Sequence, residues 1–457
     1  MTKTTVSSGG TASGLVAAAG DEIAVRSGGA TVDSTVLSGG LESAAHGALV
    51  DAATVSAGGV LLGHGEVGSA TQVYGTVRNV SVRVSTDTGA GLLILEGGRS
   101  ENVTVEVGAW EDVFPQGLAI GGVIFDKGVL LDHGAVSGAI ASSGDLMVQA
   151  GGKASGDVIG EGGFEVIDWL NDTSGMTTGG VARHETILSG GAMQISAGGA
   201  TFDTTVSAGA VETVYASGRA IRTLLSGGDE FVYGLASKTM VEAGARQIIR
   251  GGGFASGSVI ESGGRAVVSS GGAAQGITVS GGTLIVSSGG VLSGGLVIEG
   301  GLARISGSMA AGVVRFTGSA GVLGLDNLPD FHGKIAGLQT AAEKIDISGF
   351  AFSPGGESAD WAQHGTSGTL TVTDGGKVEK LILIGAYTSS SFQLSADGKG
   401  GTFVALGGAG AAARPAQLAQ TMAGLVGGRS MAEAGRPGDA AVQAAALPLV
   451  GPATSGR

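Results

Sequence analysis

Hydrophobic positions in this chain come in short aliphatic runs separated by glycine doublets, and the pattern is cleanest between Gly257 and Gly290. Runs around Val259, Val267, Ile277 and Ile285 each end in one or two small or polar residues and then Gly-Gly, with doublets opening at Gly263, Gly271, Gly281 and Gly289. The doublet spacing alternates 8, 10 and 8, which predicts an 18-residue unit carrying two strand-turn pairs. A residue without Cβ reaches φ > 0 at no steric cost, so each doublet reads as a corner. The intervening Val, Ile, Leu and Thr suit a pleated, half-buried strand. One such strand buries nothing alone. Stacked on copies of itself at about 4.8 Å it satisfies its backbone and encloses a row of side chains, so the predicted fold is all-β, a right-handed parallel β-helix.

The pattern divides the chain in three. Residues 1–309 read as the solenoid, with loop excursions expected near 101–122, where Pro115 cannot donate to a ladder, and near 164–180. Residues 310–406 read as a mostly antiparallel β domain capping the solenoid, with a hairpin signal at Asp374-Gly375-Gly376. Residues 407–457, rich in Ala, Gly and Pro, read as a flexible tail. Because the repeat starts within ten residues of Met1, its first rung is expected to present an unpaired edge. Self-association is expected through that N-terminal rung or through a lateral face.

Composition narrows the classes. Of 457 residues 91 are Gly, and aromatics make up only 4%, so the core must come from small aliphatics, as a narrow solenoid interior requires. With no Cys there is no disulfide framework or thiolate chemistry. The net charge is −14, and the region after Leu406 is net positive, leaving −16 on the body; nucleic acid is an unsuitable partner. No apolar h-region follows Lys3, so no signal peptide is expected there, and no apolar run is long enough for a transmembrane helix.

Two acidic clusters beside aromatics are the candidate sites: Glu111 and Asp112 next to Trp110, and Asp168 and Asp172 next to Trp169. Paired carboxylates could do acid-base chemistry on a sugar whose ring stacks on the indole. Trp110, Asp168, Trp169 and Asp172 are retained as ligand-binding candidates, with no catalytic residue assigned, and single acidic residues elsewhere are expected at corners or on the outer face. His46, His64, His133, His184, His332 and His364 have no metal-ligand spacing and read as turn or surface residues; no metal site and no cofactor are expected.

The segments VSSGG, VLSGG, ILSGGAMQISAGGATFDTTVSAGA and VSSGGAAQGITVSGGTLIVSSGG resemble the passenger repeats of AIDA-type self-associating autotransporter adhesins of Gram-negative bacteria, over about Val6 to Gly301. The stretch from Lys344 to Val404 resembles a C-terminal module of large secreted alphaproteobacterial surface proteins. These resemblances imply a non-enzymatic, extracellular or cell-surface adhesin or biofilm-matrix stalk, with a surface polysaccharide or matrix as partner and room for glycosylation. The alternative is a carbohydrate-active β-helix enzyme, a polysaccharide lyase or hydrolase.

Overall fold

The computed structural model describes residues 1–68, 70–83, 91–168 and 179–407, and they form an all-β parallel solenoid of about 17 turns followed by antiparallel strands. Each turn has three faces rather than the two expected. On the first face Lys3–Val6 pairs in parallel with Glu22–Val25, and that strand with Leu41–Ala44, in steps of 19 residues. Thr11–Ser13 starts the second face and Val16–Ala17 the third.

The missed corner is the one without a doublet. It is a single residue in the left-handed region: Gly14 in the first turn, then Asp33 (φ 54°) and Ala52 (φ 52°), between the second and third faces, and, once the pattern has moved by one face, Asn79 (φ 57°) and Asn102 (φ 52°), between the first and second. Asp and Asn tolerate that conformation because their side chains bond locally, so no glycine flags the turn. His184 (φ 61°) sits at this corner, a turn histidine as its sequence suggests.

The doublet corner is a β-turn. In the first turn the Gly10 N–H donates to the Ser7 carbonyl at 2.9 Å with Gly9 at φ 73°, which is the type II requirement for φ > 0 at the third residue. Successive corners also bond to one another, Gly20 N–H to the Gly39 carbonyl at 2.8 Å.

Along each strand, side chains alternate between interior and surface. The interior is a continuous stack of Val, Ile, Leu and Ala, including Val36, Val55, Leu92, Ile94, Ile187, Ile195, Val214 and Val232. The four-residue strands lie on the first face as far as Val60–Gly63 and on the third from Gly91–Ile94 onward. The shift occurs where Val60 pairs with Thr76, a step of only 16 residues.

The excursion expected at 101–122 is absent. Thr104–Val105, Trp110–Val113 and Leu118–Ile120 are stacked strands in register with both neighbouring turns. Pro115 occupies the turn itself, with Gln116 (φ 69°) in the position of the first glycine. At the second expected excursion Phe164 pairs with Ala192, a step of 28 where the next step, Ala192 to Val211, is 19. The additional residues include 169–178, so Trp169 and Asp172 lie outside the described residues.

Parallel stacking runs past residue 310. Gly321–Leu325 and Glu343–Ile347 add to the third face and Lys334–Ala336 to the second, using turns other than doublets. Antiparallel pairing begins at Glu357–His364, which pairs with Ser367–Asp374, and that strand with Lys377–Ile384 through a two-residue turn at Gly375 and Gly376, both at positive φ. Lys377–Ile384 then pairs with Lys334–Ala336, and Thr402–Leu406 with Glu343–Ile347, so these strands cover the last edges of two faces. Trp361, Tyr387 and Phe392 pack together with ring centroids 5.2 to 5.9 Å apart. The tail expected to be flexible falls, from residue 408 on, outside the described residues.

Candidate functional site

Strand alternation separates the first predicted acidic pair. In Trp110–Val113, Trp110 and Asp112 point outward while Glu111 is fully buried in the interior, where it accepts a hydrogen bond from the Ser100 hydroxyl. The two carboxylates therefore cannot converge on one substrate. Asp112 instead meets His133 Nδ1 at 3.1 Å, and the His133 ring stacks on Phe114. Trp110 lies over Gly91 in the preceding turn, where an added Cβ would fall 2.1 Å from the indole. Its ring packs on backbone rather than standing free. Asp168, directly after Phe164–Ile167, is on the same face as Trp110 but three turns further along, about 14 Å at the strand spacing, so the two do not form one site.

Asp168 belongs to an outer row at the corner following the third-face strands. Its next members are Ser196, Tyr215, Tyr233 and Arg250, each bonded through its N–H to the strand one turn before. Tyr215 and Tyr233 are 41% and 38% exposed, and their rings are near parallel (11°) with centroids 6.1 Å apart. Beside them Ser217, Gly218, Arg219, Gly234 and Leu235 line an open groove of about 560 Å³. Phe231 points outward from Asp229–Val232, the strand that Tyr233 follows, with the Arg250 guanidinium 5.6 Å from its ring.

The interior holds what the sequence reading placed outside. Glu42, Glu111, Glu165, Glu212 and Glu230 are all fully buried at the second position of four-residue strands, LESA, WEDV, FEVI, VETV and DEFV. The signal was present: an apolar residue two positions later faces inward, so period-two alternation turns the Glu inward as well. Glu212 and Glu230 are direct register partners, a one-turn recurrence that the sequence reading does not see.

Most of these carboxyls have donors. Thr31 and Ser34 donate to Glu42, both at 2.7 Å; Thr201 and Thr223 to Glu212; Thr239 and Gln247 to Glu230. Burial nevertheless favours their neutral forms, raising Glu111 to about 7 against the Ser100 bond, and Glu212 to about 8 with Glu230 adding repulsion.

Glu165 is different. Both of its oxygens are buried and accept no hydrogen bond, and one of them lies with one oxygen each of Asp157 and Glu185 in a group all within 4.8 Å of one another. All three residues are buried, and burial first, then repulsion from neighbouring carboxyls (Asp132 in the case of Asp157), pushes all three up, Glu185 to about 9. Asp132 nearby is raised to about 7, chiefly by burial.

No family model matches the chain, and no curated protein matches it. Seven chains among solved structures do. One is the crystal structure of a TibC-catalysed, hyper-glycosylated TibA fragment, 25% identical, covering 70% of this chain and 94% of that one, with a TM-score of 0.36. A superposition that loose carries no argument about function. The solenoid is established by its own strand register.

Proposed function

We propose that this chain is a non-enzymatic, extracellular structural or adhesive protein whose solenoid is a stalk for cell-surface attachment, self-association or a biofilm matrix. The observation that carries this reading is the stacked Tyr215–Tyr233 step beside Arg219, held on a rigid, regularly repeating outer row. Flat rings with polar tips at a fixed spacing suit the faces of sugar rings in a surface polysaccharide, and Arg219 suits its acidic groups. Self-association through a lateral face is part of the same proposal, because each added turn extends a similar outer surface.

Retention on an immobilised acidic polysaccharide tests it. The double variant Tyr215→Ser/Tyr233→Ser is expected to weaken binding about tenfold, two aromatic contacts at about 0.5–1.5 kcal/mol each, while Tyr74→Ser at another exposed tyrosine leaves it unchanged. Equal binding by all three proteins sinks the reading. Asp168 shares the row with these tyrosines, which keeps the enzymatic alternative specific. Depolymerisation of the polysaccharide that vanishes in Asp168→Ala would replace adhesion by catalysis.

A further inference from the structure

We propose that Asp157, Glu165 and Glu185 bind one calcium ion inside the solenoid. Oxygens around a shared Ca²⁺ at about 2.3–2.6 Å can lie no more than about 5 Å apart, and one oxygen from each of these three residues meets that limit at 4.8 Å. Comparison with other turns shows what has changed here. The position of Asp157 and Glu185, just before the second-face strand, is held in the following turns by Thr204, Thr223, Thr239 and Ser258. Thr223 and Thr239 donate their hydroxyls to the inward Glu212 and Glu230.

Around Glu165 the expected donors are replaced by acceptors. The inward residue of the neighbouring first-face strand is Ala154, where the corresponding strands beside Glu111 and Glu212 carry Ser100 and Thr201. Glu165 is thus a wholly buried carboxyl with two oxygens lacking partners, aimed at two more carboxyls. An unpartnered buried carboxyl is costly, and three buried carboxyls converging at this distance require a cation or shared protons.

Part of the coordination is already fixed. Asp157 Oδ1 accepts the Ala139 N–H at 2.6 Å, and the two Glu185 oxygens accept the Arg183 and Asp157 N–H groups at 3.1 and 2.8 Å. Those bonds orient the ligands while leaving lone pairs on Glu185, Asp157 Oδ2 and both Glu165 oxygens. Among the described residues, no ion pair with Lys, Arg or His reaches the three carboxyls. The all-oxygen set selects a hard cation over zinc or copper. The dry interior favours Ca²⁺ over Mg²⁺, which gives up its waters reluctantly. Because burial keeps protons on these carboxyls, calcium entry releases protons, so binding tightens as pH rises. Asp132 and Glu212 add their fields to the same cluster.

The test uses the full chain, stripped with EDTA and then titrated with CaCl₂, with MgCl₂ and MnCl₂ as parallel arms. One bound equivalent of calcium is expected, with a melting temperature several degrees higher in about 1 mM CaCl₂ than in EDTA. Glu165→Gln is expected to lose both effects, yet to melt at or above the wild type in EDTA because the amide cannot ionise and can donate to a neighbouring carboxyl. Glu185→Thr installs the residue that Thr204 supplies one turn later, and is expected to fold and ignore calcium. Absence of bound calcium, or an unaltered calcium response in both variants, overturns the proposal. If shared protons alone hold the cluster, the wild type ignores calcium and Glu165→Gln is the more stable protein in both conditions. Should Glu165→Gln fail to fold, calcium stoichiometry of the wild type and of Glu185→Thr decides.

Discussion

Alanine at Gly98 is expected to destabilise the solenoid by about 3 kcal/mol or more, whereas asparagine at the adjacent Gly97 costs about 1 kcal/mol or less. The two glycines of a doublet are there for different reasons. Gly97 (φ 76°) supplies the left-handed turn and has open space around it, with nothing within 4 Å of an added Cβ, and asparagine accepts that backbone conformation. Gly98 has an ordinary φ but lies directly above the preceding turn, where a Cβ would sit 2.0 Å from the Val73 carbonyl oxygen. That oxygen is backbone, already accepting the Leu95 N–H, and cannot move without breaking the stack. The same distinction predicts that Gly271→Val (φ 74°) costs about 1–3 kcal/mol, since a β-branched residue is strained there. Urea midpoints of the four proteins check the ranking; equal losses at Gly97 and Gly98 would refute it.

Stability is expected to fall as the solution is made alkaline, with a melting temperature in EDTA clearly lower at pH 9 than at pH 5. In the folded chain Glu212 keeps its proton until about pH 8, against 4.5 for an ordinary glutamate, and Glu111 and Asp132 keep theirs to about 7. Between the unfolded and folded values the native state binds more protons than the unfolded one, so the free energy of unfolding decreases with rising pH. The contribution is complete below the unfolded value and gone above the folded one. Each tenfold gain in proton affinity on folding corresponds to about 1.4 kcal/mol, so several such groups together amount to several kcal/mol. Exposed carboxylates such as Asp203, held down by Arg222, act in the opposite sense, but only in acid below the ordinary carboxylate range. Glu212→Gln should flatten the profile and outlast the wild type at pH 9. A melting temperature that rises from pH 5 to pH 9 in EDTA would show that the inward carboxyls are not buried as described.

Much of this protein follows from the sequence alone. Glycine doublets and short aliphatic runs leave one economical solution, a strand repeatedly turned back onto itself, because neither a long helix nor a deep globular core can be built from 91 glycines and so few aromatics. The hairpin at Asp374 to Lys377 was equally legible, since two adjacent glycines between alternating strands permit the two positive φ values that turn requires.

Other features depended on partners distant in sequence. The third corner of each turn was hidden because Asp33, Asn79 and Asn102 fill it without glycine, and only stacking on neighbouring turns reveals their common backbone conformation. Glu111 and Asp112 look like a pair along the chain, yet the pleat places one inside and one outside, a choice fixed by which side the stack encloses. Asp157, Glu165 and Glu185 have no common spacing, since the turn between the last two contains the residues that lengthen its register step to 28. Their meeting is decided by which turn lies upon which, and that is a property of the tertiary structure.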